Sequence, residues 1–481
     1  MNHPAAPICR DLRHDSGGQV LFASTSCREL SSQPSPMKKN EIVQIISNRL
    51  AKSKAEFEIF LSRKSMLSCE IKDGQLDHFR SSRELGVALR ILDDGKLGFS
   101  YLYGPNPDSL LRLTDRAVEM ANQADHDPLH SFSPPEQADV RDLEVFDSAL
   151  SDRANKEKVE HIKEMEQGAL HTDTRIRKVR KAEYEETTSY TSVINSCGLD
   201  AEKQGTVITM SVMVLAEDNG NAEMGWETET ARWYDDIDPR KIGMSAAHRG
   251  IAMLGGRQIS TRTCPAVLEN RVVGELLDVW SSSFLGDNIH KGKSFLKDKI
   301  GQKIASEKIT LTDDGLYTRG LGSAWFDDEG TPQKSTVLVK NGTLLSYLFD
   351  RYWSKKAGSQ PTGNSVRQRT LSPPSPDPSN LFIRSGTLSF DQLLVSMNTG
   401  LLVTDLMGVH MSDPISGEFS LGASGMWVEK GRPVYPVKGV TVSGSIHGLF
   451  AAVVDLGDDL RFFGRLGAPS ALVKEIIVSG L

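Results

Sequence analysis

The sequence predicts an α+β protein: two helix–antiparallel sheet–helix units followed by a β-rich, barrel-like domain. Three observations carry that expectation. Amphipathic helical runs flank alternating strand-like stretches in residues 37–140. The same order recurs over residues 141–260. From residue 261 to 481 the texture changes to short strands broken by glycine turns. A chain of 481 residues is too long for one core, which fits such a division.

Residues 1–36 lack a charged segment followed by an apolar one, so they do not read as a signal peptide. Their Ser, Pro and Gly content reads as a disordered tail ahead of "MKKNEIVQIISNRL". In that stretch Ile42, Val43, Ile46 and Leu50 mark one face of a helix. Strand-like "EFEIFLS", "MLSCEIKDG", "GVALRIL" and "LGFSYLY" follow, separated by the turn signals "KDGQ" and "DDGK". "NPDSLLRLTDRAVEMANQA" opens on an Asp cap and closes the unit as a second helix. After the "SPPEQADVRD" linker come the charged helix "RANKEKVEHIKEMEQGAL", three long alternating stretches and the helix "DPRKIGMSAAHRGIAMLGG".

The C-terminal region opens on "VVGELLDVWSSSFLGDN", a helical run stopped by Gly286-Asp287-Asn288. The turns "KNGT" and "EKGRP" between apolar alternations read as hairpins of a curved or closed antiparallel sheet. "TLSPPSPDPSN" interrupts that sheet as a proline-rich connector, of the kind that often borders a cleft.

Composition excludes several function classes. The formal charge of −7 comes from mixed signs with no long basic block, which argues against nucleic acid as a partner. No apolar run approaches the ~20 residues needed to span a bilayer. Five scattered cysteines (Cys9, Cys27, Cys69, Cys197 and Cys264) without a CxxC pair fit a reducing cytoplasm. No cysteine follows Cys264, so the chain beyond it supplies no thiolate ligand.

No motif announces chemistry by itself. His126 and His130 are four apart, but Pro128 between them disfavours a helix and no third ligand is near in sequence. His290, His410 and His447 are isolated and read as surface or packed histidines. There is no GxSxG elbow, Walker loop or GxGxxG after a strand. Ser281-Ser282-Ser283 reads as a polar helix end, since no partner base can be assigned. "AWFDDEGTP" crowds Asp327, Asp328 and Glu329, and composition reads it as a solvated turn. "PTGN" and "SGEFSLGASG" are small-residue stretches where bare backbone could approach a ligand.

Taken together, "GLGSAWFDDEGTP", "PTGN", "VTDLMG", "SGEFSLGASGMWVEKGRPVYPVKGVTVSGS" and "GDDLRFFGRLGAPSALVKEIIVSG" resemble the TldD/PmbA family over residues 40–481. The resemblance implies an N-terminal α/β region, a β-rich C-terminal domain and a cytoplasmic heterodimeric zinc metallopeptidase that digests unfolded peptides. The peptide would be held as an added β-strand. Asp328, Glu329, Gly330, Thr331, Pro332, Gly363, Asn364, Gly417, Phe419 and Gly422 would then border the peptide channel.

In the TldD branch the helix before the Gly-Asp loop carries HExxxH, whose positions fall here on Leu277, Asp278 and Ser282. Leucine cannot ligate zinc, serine is a poor substitute for imidazole, and the region around Ala468 lacks the family's C-terminal cysteine ligand. The resemblance therefore points to the PmbA (TldE) branch, a subunit with no metal of its own and no catalytic residue. Zinc is expected in a TldD-type partner, with a homodimer when the chain is alone. Two alternatives stand beside this expectation. One is a self-sufficient peptidase using Asp278, His290 and a residue of the "FDDEG" turn. The other is a homodimeric peptide-binding or regulatory protein of gyrase-modulator type.

Overall fold

Long alternating strands joined by two-residue turns dictate the N-terminal architecture. Strands β1 (Glu56–Lys72), β2 (Gln75–Asp93) and β3 (Lys96–Tyr103) are linked through Asp73-Gly74 and Asp94-Gly95, every one of these turn residues at positive φ. Paired positive φ matches the right-handed strand twist, which is why Asp-Gly occupies these corners. Strands β4 (Ile176–Asn195), β5 (Asp200–Asp218) and β6 (Asn221–Ala231) form the second meander, with Asn219-Gly220 at its last corner. In this computed structural model residues 37–139, 141–367 and 371–480 are described, with a short pair of strands at Arg13–His14 and Val20–Leu21. Apart from that pair, the tail expected over residues 1–36 lies outside the described residues.

The two units share one six-stranded antiparallel sheet of order β3-β2-β1-β4-β5-β6, because β1 pairs with β4 from Glu58↔Asn195 to Ile71↔Ala182. Helices α1 (Lys39–Leu50) and α2 (Pro107–Gln123) cover Ile59, Leu61, Val87, Leu89 and Ile91 on one half of a single face. Helices α3 (Asn155–Leu170) and α4 (Pro239–Ala252) cover Cys69, Ile71, Ala182, Tyr184 and Val214 on the other half. Asn106 caps α2, its Oδ1 accepting from Ser109 N–H at 2.9 Å, so Asp108, read from sequence as the cap, lies inside the first turn.

The halves repeat one packing device. A Cβ on Gly98 of β3 would strike the backbone of Ala117 and Ala121, and one on Gly225 of β6 would strike Ala246 and Gly250. Each outer strand therefore needs glycine where its helix crosses it, which is a geometric mark of internal duplication.

The opposite sheet face receives the C-terminal domain, where Leu371 inserts among Phe60, Ala88, Val193 and Leu199. That domain opens with β7 (Arg262–Leu268) and α5 (Asn270–Ser281). A first sheet contains β8 (Leu311–Asp314), β9 (Ser335–Lys340) and β10 (Leu381–Ile383). Helices α6 (Arg351–Lys356) and α7 (Phe390–Met397) lie on either side of β10 in the chain. A second sheet joins β7 to β11 (Gly400–Met407), β12 (Glu418–Glu429), β13 (Arg432–Ser445), β14 (Val453–Leu456) and β15 (Ala471–Ser479).

Strands β7, β11, β12, β13 and β15 close on themselves, since β13 pairs with β15 and β15 returns to β7. The expected barrel is thus closed, which leaves no free edge among its five strands. Helix α5 packs Val272, Val273, Leu276, Leu277 and Trp280 into the core of this domain, with Trp280 stacked on Phe450 at 4.4 Å. A second tie joins the domains: Glu227 on β6 pairs with Arg249, Arg271 and Arg461. Among the described residues no helix is long and apolar enough to cross a membrane.

Candidate functional site

The crowded carboxylates of "FDDEGTP" lie at the domain interface. Asp327 is 1% and Glu329 3% exposed, so the solvated turn expected from composition is corrected. The reason is long-range pairing. Arg90 of β2 donates to Glu58 at 2.9 and 2.7 Å and to Glu329 at 2.8 Å, across 239 residues of chain. Arg367 donates to Glu58 at 2.9 Å, and Lys203 donates to Asp328 at 2.7 Å. Asp327 organises the turn itself, its two oxygens accepting from the N–H groups of Glu329, Thr331 and Ser365 at 2.9–3.0 Å. Gly330 takes positive φ with Leu199 so close that a Cβ would collide with it.

These carboxyls do not titrate alike. Burial and then the Glu329 charge push Asp327 up to about 7, against the three N–H donors that pull it down. Asp350, the cap of α6, is raised by burial and then by Glu329. Burial also works to raise Glu329, but the Arg90 guanidinium overrides it and holds the carboxyl below its usual range. A carboxyl raised in the folded state stays protonated there while the unfolded chain has already ionised. Asp327 and Asp350 therefore make stability fall as pH climbs from about 4 through 8. Glu329 works oppositely, losing stability as pH falls through the carboxylate range. Denaturant unfolding should thus show maximum stability at mildly acidic pH. Asp350→Asn, which keeps a capping side chain, should flatten the decline above neutrality. An unchanged slope in that variant would exclude Asp350 as its source.

The structure brings Asp328, Glu329, Gly330, Thr331 and Pro332 together with Gly363 and Asn364. Asp328 N–H donates to Ser365 O at 2.9 Å, and Gly363, at positive φ, lies hard against Pro332 O. Asn364 is buried and donates to Asp313 at 2.6 Å. Gly417, Phe419 and Gly422 stand elsewhere, at the start of β12. Phe419 faces the core there, and Gly422 opposes Met407 across the β11–β12 ladder. No hydrogen bond among the described residues joins the two groups.

Sequence reading missed Glu58, Arg90, Lys203 and Arg367. Two of them had left a local signal: Glu58 lies between Phe57 and Ile59 in "EFEIFLS", and Arg90 is the one charge in "GVALRIL". A charge in a buried strand needs a buried partner.

Three family models match the chain. The PmbA/TldA metallopeptidase C-terminal domain covers residues 261–480, the central domain 149–254 and domain 1 residues 57–121. The chain belongs to the PmbA/TldD metallopeptidase family. It is 27% identical over 426 residues to the metalloprotease PmbA of Escherichia coli O157:H7, covering 88% of this chain and 92% of that protein. A Thermotoga maritima crystal structure, named as a candidate modulator of a DNA gyrase, superposes with TM-score 0.85 at 27% identity. It covers 92% of this chain and 100% of its own. TldE from Thermococcus kodakarensis shares the fold at TM-score 0.82 and 20% identity, with 92% and 99% covered.

Metallopeptidase chemistry implies a metal, so the positions on α5 matter. Leu277 is fully buried among the apolar side chains of the C-terminal core. Asp278 stands on the exposed side, its carboxyl raised by partial desolvation and then by Asp377. Ser282 Oγ donates to Val279 O at 3.0 Å, and Ser281 Oγ to Asp278 O at 2.6 Å, closing the helix end as read from sequence. These side chains do not converge and do not fit a zinc ion. Among the described residues no three His, Cys, Asp or Glu side chains are grouped to hold one. His126 lies 2.6 Å from Asp94 O, His130 packs on Tyr352 and His290 stacks on Trp353.

Proposed function

We propose that this chain is the non-metal partner subunit of a TldD/TldE-type zinc metallopeptidase. It contributes scaffold and substrate-strand binding in the degradation or processing of unfolded peptides in the cytoplasm. The observation that carries this reading is Leu277, an aliphatic side chain sealed in the core where the resemblance places a zinc-binding imidazole. A TldD-type mate supplies the metal and its hydrolytic chemistry. This chain supplies walls: the Asp328–Pro332 turn with Gly363 and Asn364, and the glycine-bearing start of β12. Their bare backbone suits an extended peptide pairing strand to strand, which gives affinity with little sequence preference. Alone, the chain forms a homodimer.

Co-expression with a TldD-type subunit should yield chelator-sensitive cleavage of casein-like unfolded substrates. The lone chain should carry no zinc by elemental analysis and leave those substrates intact. Stoichiometric zinc in the lone chain, or cleavage by it, would overturn the proposal.

A further inference from the structure

The chain is acidic overall, yet it carries a lysine-rich stretch that the proposed function does not use. Between His290 and Lys303 there are five lysines (Lys291, Lys293, Lys297, Lys299 and Lys303) and a single acid, Asp298. This stretch is pinned from beneath. Ser294 and Leu296 are buried, Ser294 Oγ donates to Ser283 O at 2.7 Å, and Tyr347 Oη donates to Leu296 O at 2.6 Å. The lysines consequently stand on a fixed backbone.

Helix α6 meets this stretch with a second set of cations. The Lys291 and Lys356 ammoniums each lie 5.1 Å from the centre of the Trp353 ring, and His290 stacks on the same ring at 5.8 Å. Burial and then the Lys356 and Lys297 charges hold the His290 imidazole below its usual range. Lys291 pairs with Asp287, but Lys293, Lys297, Lys355 and Lys356 have no ion-pair partner among the described residues. Farther along the stretch, Lys299 and Lys303 line a cavity of ≈590 Å³ with Phe295 and His447.

We propose that this strip docks an acidic segment of an extended polypeptide, its carboxylates reaching the ammoniums around Trp353. Charge complementarity is the argument: the ammoniums of Lys293, Lys297, Lys355 and Lys356, without ion-pair partners among the described residues and set on or beside a pinned backbone, favour a partner that brings carboxylates. Nucleic acid is the less suitable polyanion. Base stacking needs a free aromatic face, and Trp353 already has two ammoniums and an imidazole over its ring. The inference adds to the proposed function without resting on it, since binding is read on this chain without cleavage.

The test is fluorescence anisotropy of the full chain with a labelled oligoglutamate peptide, beside a Gly-Ser peptide and single-stranded DNA of equal length. Oligoglutamate should bind with strong salt dependence. Lys297→Glu/Lys356→Glu should weaken it by about tenfold or more, because two attractive charges become repulsive. Both positions are exposed, so the melting temperature should hold and any lost affinity would report the surface. Equal binding of the Gly-Ser peptide, unchanged affinity in the double variant, or DNA binding as tight as oligoglutamate would each overturn the proposal.

Discussion

Arg90→Ala should destabilise the folded chain by about 3–5 kcal/mol, the cost of leaving a buried charge without its partner. Arg90 is 7% exposed and is the cation that Glu58 and Glu329 share. Removing it leaves Arg367 to hold Glu58, while Glu329 loses its guanidinium partner and keeps the Arg351 N–H at 3.2 Å. The intact network is a weak source of net stability, because desolvating its members offsets most of their attraction. Breaking it is different, since the desolvation has been suffered and the attraction is gone. Arg90→Lys should recover only part of the loss, as one ammonium cannot reproduce bonds to both Glu58 oxygens and to Glu329 at once. Denaturant unfolding gives the magnitude. Limited proteolysis at the interface should show the turn around Glu329 cut sooner in the alanine variant. An Arg90→Ala midpoint within about 0.5 kcal/mol of the parent would mean that solvent already reaches Glu329.

That network also marks the limit of what the sequence reveals. Elements governed by neighbouring residues were legible: the Asp-Gly corners at 73–74 and 94–95, the alternation of β4 and β5, and the glycine turns of a sheet that closes into a barrel. Elements set by distant residues were not. Pairing of β1 with β4 joins strands about 120 residues apart and leaves no local trace, so two units were expected where one sheet runs through. The "FDDEG" turn reads as hydrophilic because its cations, Arg90 and Lys203, come from another domain. The candidate site was legible in its pieces, such as Glu329, Gly330 and Asn364, but not in its depth. Small and acidic residues write the same letters at a solvated turn and at a buried clamp.

Leu277→His should destabilise the chain by about 3–5 kcal/mol and create no metal site, even with Asp278→Glu and Ser282→His added. The magnitude combines the loss of an apolar side chain from a tight core with an imidazole that has no polar partner there. Leu277 is wholly buried, in the same cluster as Trp280, Phe284 and Phe450, two of which stack on each other. Asp278 and Ser282 differ, since Asp278 is exposed and Ser282, just past the end of α5, is half-buried. Asp278→Glu/Ser282→His alone should therefore fold with near-parental stability. The contrast separates two accounts of a partner subunit. If only ligands had been lost, restoring three side chains would restore zinc. If the cavity has also been filled, the added imidazole must either displace the core or remain unbonded within it, and metal cannot reach it. Unfolding midpoints and elemental analysis of the double and triple variants decide between these accounts. One zinc per chain in a triple variant of parental stability would show that α5 still holds an open metal pocket, and the packing of Leu277 would then carry no argument about function.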